Sequence, residues 1–132
     1  MLKRITIVIP LCPVTKKNSQ RIINRYIPSK GKSVPMIIPS QKYVEYEKAC
    51  AVFVKPKAEI DYPVNVKCLY YMPTHRNVDL TNLMEATHDI LVKHRVLKDD
   101  NMTIIQSVDG SRVLYDKDNP RTEIIIDAVE DI

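Results

Sequence analysis

Only two glycines occur among the 132 residues, and no Gly-rich stretch is present that would cradle a nucleotide's phosphates. No apolar run approaches the roughly 18 residues that span a bilayer, so a soluble globular protein is expected. The three cysteines, Cys12, Cys50 and Cys68, lie far apart with no CxxC pair, which speaks against a zinc cage or a disulfide framework. They are expected to be small buried hydrophobes. The three histidines, His75, His88 and His94, lack HExxH spacing, and no Ser/His/Asp arrangement stands out. NTPases and covalent hydrolases are disfavoured.

Acid is scarce in the first part of the chain. Residues 1–57 hold twelve Lys/Arg against two Glu, for +10, and residues 58–132 hold eight against fourteen acidic residues, for −6, giving the net +4. A basic segment suits a polyanion such as nucleic acid, and carboxylates gathered elsewhere suit a divalent cation. The apolar stretch of "MLKRITIVIPLCP" is short, alternates, and is followed by no small-residue cleavage site. It therefore reads as a strand rather than a signal peptide, and a cytoplasmic location is expected.

The length suits one domain, taken as residues 1–132. A strand is expected over 3–9, broken by Pro10 and Pro13, and "QRIIN" and "VPMII" suit a two-stranded ribbon. Ser40 is the expected N-cap of a helix over about 41–54, stopped by Pro56. The β-branched and aromatic "VNVKCLYYM", residues 64–72, reads as a strand closed by Pro73. Further strands fit "TIIQSVDG" and "TEIIID", joined by an irregular charged connection containing "YDKDNP". The fold class is α+β, a mixed sheet with two main helices packed on it.

Between the last two groups of strands lies "VDLTNLMEATHDILVKHRVLKDDN", residues 78–101. At 100° per residue, Leu80, Leu83, Met84, Thr87, Ile90, Leu91 and His94 fall within an arc of roughly 120°, an amphipathic helix over about 80–94. Asn82, Glu85, Asp89 and Lys93 take the other side. Asp79 suits a helix N-terminus, where the dipole favours negative charge. The adjacent Asp99 and Asp100 repel each other unless a cation, Lys98 or a metal ion, lies nearby. Carboxylate oxygens converging beside a phosphate-binding surface are what a Mg²⁺-dependent phosphodiesterase needs.

"DLTNL" opening a helix, "HDIL" after it, "KDDN" about twenty residues on, the early "PVTKKNSQRI" and the late "PRTEIIID" together resemble the RusA-type Holliday junction resolvases. The likeness runs almost end to end. It implies a homodimer using Mg²⁺, with Mn²⁺ as a substitute, to cut four-way DNA junctions in phage-type recombination or repair. Carried over residue by residue, it implies catalytic Asp79, Asn82, Asp99 and Asp100, with Asp79, Asp99 and Asp100 as metal ligands. The family's second aspartate falls on Thr81, and a lysine three residues after the asparagine falls on Glu85. Glu85 or Asp89 is a candidate to restore the missing carboxylate. Lys16, Lys17, Asn18, Arg21, Arg25 and Arg76 are the expected DNA contacts, with Tyr26 a candidate for stacking. The alternative is a branched-DNA-binding protein of the same fold whose nuclease site is impaired by Thr81 and Glu85.

One geometric problem follows. A helix over 80–94 is roughly 22 Å long, and ligands of one Mg²⁺ must each approach within about 2.1 Å. Asp79 and Asp100 therefore meet only if the chain doubles back after His94 or if two chains pair with antiparallel helices.

Overall fold

The computed structural model describes residues 4–16, 21–38, 40–55 and 58–129. In chain order the elements are β1 (Arg4–Ile9), β2 (Arg21–Ile27), β3 (Lys32–Ile38), α1 (Gln41–Cys50), β4 (Val64–Met72), α2 (Leu80–Lys93), β5 (Ile105–Ser107), β6 (Arg112–Tyr115) and β7 (Arg121–Ala128). Five strands form one mixed sheet. β7 runs antiparallel between β1 and β4, and β4 also pairs in parallel with both β5 and β6. The α+β class with two helices on a mixed sheet is what the strand and helix patterns led one to expect.

The period-two pattern of β4 is fully expressed. Val64, Val66, Cys68 and Tyr70 are buried on one face, while the residues between them are partly exposed. β7 contributes Thr122, Ile124 and Ile126 to the same buried layer, and β1 adds Ile9. Against them lie Leu83, Ile90 and Leu91 of α2 and Cys50 of α1. Each fully buried branched side chain of this kind contributes about 1.5–3 kcal/mol. A buried Tyr70 Oη–Thr87 Oγ1 hydrogen bond of 2.7 Å ties β4 to α2, and Lys93 pairs with Glu47 to join the two helices on their outer side.

Ser40 caps α1 by accepting from the Tyr43 amide, as expected, but the regular helix ends at Cys50, short of residue 54. β2 and β3 pair as a separate two-stranded ribbon. Its turn passes through Gly31 at φ 62°, a left-handed position that glycine takes without a Cβ penalty. Two expectations need correction. Cys12 is exposed, unlike Cys50 and Cys68, because it precedes a proline in the chain leaving β1 rather than facing the sheet's buried layer. The segment expected to be irregular contains β6, whose four residues pair with Leu69–Met72. β6 is too short, and too exposed along most of its length, to show a burial period.

Candidate active site

α2 starts at Asp79. Its Oδ1 accepts the backbone amides of Thr81 at 2.9 Å and Asn82 at 3.4 Å, and the Thr81 hydroxyl donates to the same oxygen at 2.6 Å. A carboxylate at this position satisfies helix donors that otherwise lack partners and lies at the positive end of the helix dipole. The two residues bonded to Asp79 also help to line a cavity of about 370 Å³.

Asp100 lines the same cavity, together with Met84, Glu85 and His88. The chain therefore doubles back. After Lys93 the amides of Val96 and Leu97 both bond to the Leu91 carbonyl, at 2.9 and 3.2 Å, and Arg95 takes φ 60°. A non-glycine residue in the left-handed region stores local strain, and here it reverses the chain. Buried Val96 and Leu97 anchor the return, with the Ile60 amide on the Val96 carbonyl and the Lys98 amide on the Ile60 carbonyl, each at 2.9 Å. The returning loop brings Asp100 into one cavity lining with Thr81, Asn82 and Glu85 of α2 in the same chain.

Asp99 does not line that cavity and bonds within its own loop. Its Oδ1 accepts from the Asp100 amide at 2.7 Å and its Oδ2 from Asn101 Nδ2 at 2.9 Å. These bonds spend its carboxylate on the turn that presents Asp100. Among the described residues, no group of three or more His, Cys, Asp or Glu side chains is arranged to hold a metal ion. Of the two acidic candidates on α2, Glu85 lines the cavity, whereas Asp89 is 3.4 Å from Lys16 Nζ.

The donor set fits a hard cation. The cavity offers oxygen from Thr81, Asn82, Glu85 and Asp100. Mg²⁺ is ordinarily held by one or two carboxylates together with substrate phosphates, keeping several waters, so a full cage of protein ligands is not required.

Arg76 is exposed in the segment leading to Asp79 and lines a second cavity of about 310 Å³. Arg25 is exposed on the ribbon, and Tyr26 beside it is 60% exposed. The expected contacts Lys17 and Asn18, and the side chain of Arg21, lie outside the described residues.

A protein-family model described as endodeoxyribonuclease RusA matches residues 10–127. The chain belongs to the RusA endodeoxyribonuclease family. No curated protein matches the sequence. Read as a RusA family member, the chain shows what its two departures do locally. Thr81 donates its hydroxyl to the Asp79 carboxylate, and Glu85 brings acid rather than base to the cavity that Asp100 also lines.

His88 is the residue of this site that sequence reasoning passed over. It falls seven residues after Thr81 and three after Glu85, a helical spacing that places all three on one side of α2. Its Nε2 is buried without a hydrogen-bond partner. Burial pushes its pKa below the ordinary histidine value, partly opposed by the charges of Asp100 and Asp89.

Proposed function

We propose that this RusA family protein is a Mg²⁺-dependent endonuclease that hydrolyses DNA phosphodiesters at four-way junctions and acts as a homodimer. The observation that carries the reading is the return of Asp100 to the N-terminal half of α2, where it lines one cavity with Thr81, Asn82 and Glu85.

Asp100 and Asp79 would hold the cation, and Glu85 would supply the carboxylate that the Thr81 position lacks. Bound there, Mg²⁺ supplies a Lewis acid that lowers the pKa of coordinated water and offsets charge developing on the phosphoryl oxygens. The remaining work belongs to the chain. Asp79 is held in one orientation by Thr81 and by the start of α2. The Asn82 amide donates to a phosphate oxygen, Asp99 shapes the turn beneath Asp100, and exposed Arg76 steers the scissile phosphate. Lys16, Lys17, Asn18, Arg21 and Arg25 would grip flanking backbone, which positions DNA without reading its sequence. The ribbon presents Ile22, Tyr26 and Ile37 to solvent at 72, 60 and 66% exposure. An isolated two-stranded ribbon with exposed apolar side chains is marginal in water, so burial of this face against a second copy would stabilise it, which supports the homodimer reading.

A second reading, a junction-binding protein with an impaired nuclease site, draws on Thr81 and Glu85 in place of the family's aspartate and lysine. Incubation of the protein with labelled four-way junction and with linear duplex, each in Mg²⁺ and in EDTA, separates the two. Cleavage of the junction in Mg²⁺ alone is expected. Junction binding without cleavage in either condition would favour the second reading, and equal weak binding to both DNAs would discard both.

A further inference from the structure

The cavity beside Arg76 lies at the carboxyl ends of β4 and β6, where these two parallel strands stop side by side with Met72 opposite Tyr115. Ligands of open sheets favour such strand ends. Two rings stand there face to face: His75 and Tyr115 have centroids 3.9 Å apart and planes inclined by 25°. Both are exposed, Tyr115 to 47%. Apolar Met72, Val78 and Val113 line the same cavity.

The platform is held from behind. The Asp116 amide bonds to the Met72 carbonyl at 2.9 Å, and the Asp116 carboxylate accepts from the amides of Asp118 and Asn119 and from Arg121 Nη1 at 2.9 Å. Arg121 in turn lies 3.7 Å over the Tyr71 ring. An aromatic surface fixed in this way loses little entropy when a planar ligand stacks on it.

We propose that the Tyr115–His75 pair receives an unpaired nucleobase of the DNA strand whose phosphate approaches Asp79. The chemistry of the wall matches one nucleotide: a π-face for the base, apolar side chains beneath it, and the Arg76 guanidinium for its phosphate. The spacing matches as well, since the segment carrying His75, Arg76 and Val78 runs directly into Asp79. A base still paired in a duplex cannot present its face to such a surface, so the site selects a strand opened at a branch point over intact duplex. This rests on the junction-cleaving reading above.

Photocrosslinking tests it. The wild-type protein is bound in EDTA to four-way junctions carrying 5-iodouracil at the bases flanking the branch point, irradiated, and mapped by mass spectrometry, with the same bases in linear duplex as control. Crosslinks to Tyr115 or His75 with the junction and not with the duplex are expected. They should drop at least tenfold in Tyr115→Leu and persist in Tyr115→Phe. His75→Ala, in which the Tyr115 face remains, should keep the Tyr115 adduct. Junction binding with crosslinks at other residues, or with the same yield in Tyr115→Leu, overturns the base site alone. Failure of the wild-type protein to prefer junction over duplex overturns the functional reading on which it rests.

Discussion

Asp79 carries two duties that one substitution can separate. As the cap of α2 it needs an oxygen acceptor, and in the proposed role of cation ligand it needs a negative charge. Asp79→Asn keeps the first, so its melting temperature should stay close to wild type while Mg²⁺-dependent cleavage is lost. Asp79→Ala should lose cleavage and also about 1 kcal/mol of stability. A variant pair with equal stabilities would show that the cap is unimportant. The thiols give a second check on burial. Cys50 and Cys68 are pushed up to about 11 by burial, which leaves them as inert thiols at neutral pH, whereas Cys12 is exposed. A thiol reagent should therefore label one cysteine quickly in the native protein and all three in denaturant. Asp116 has its pKa lowered chiefly by the hydrogen bond from Arg121. Its contribution is present above the ordinary carboxylate pKa and is lost as pH falls through the lowered folded value. The β6–β7 connection should accordingly loosen on acidification, as followed by the Asp116 carboxyl carbon signal in NMR.

Between elements, the buried Tyr70–Thr87 bond joins strand to helix. Thr87→Val leaves the Tyr70 hydroxyl without this partner and should cost about 1–3 kcal/mol, while adding Tyr70→Phe should recover most of the loss. Much of this architecture is legible in sequence. Ser40 and Asp79 announce both helix starts, the 3.6-residue apolar stripe gives α2 its buried face, and the β-branched run gives β4 its span. The returning loop is less legible, because nothing in "KHRVLKDDN" marks Arg95 for positive φ: the turn depends on Val96 and Leu97 finding a buried place near Ile60. β6 escaped for a related reason, since its pairing with β4 comes from the surrounding sheet and not from local pattern. In the candidate site the acidic residues were readable by type and order. Which of them come together was not, and here Asp99 bonds within its own loop while Glu85 and Asp100 line one cavity.

At the scale of the whole molecule, a basic N-terminal part and an acidic remainder fit a protein that grips a polyanion and holds a cation beside it. Among the described residues, no helix is long and apolar enough to cross a membrane. Neutralising several phosphates should make junction affinity fall steeply as salt rises. Since one chain supplies both Asp100 and the start of α2, mixing Asp79→Asn and Asp100→Asn protomers should restore no site, whereas a site shared across a dimer would regain activity. The most direct measurement is a crystal grown with Mn²⁺ and located by its anomalous signal. One ion is expected in each subunit, within about 2.2 Å of carboxylate oxygens of Asp79 and Asp100 from that same subunit, with Glu85 facing it. An ion bridged by Asp79 of one subunit and Asp100 of another, or no ion beside either residue, would contradict this account.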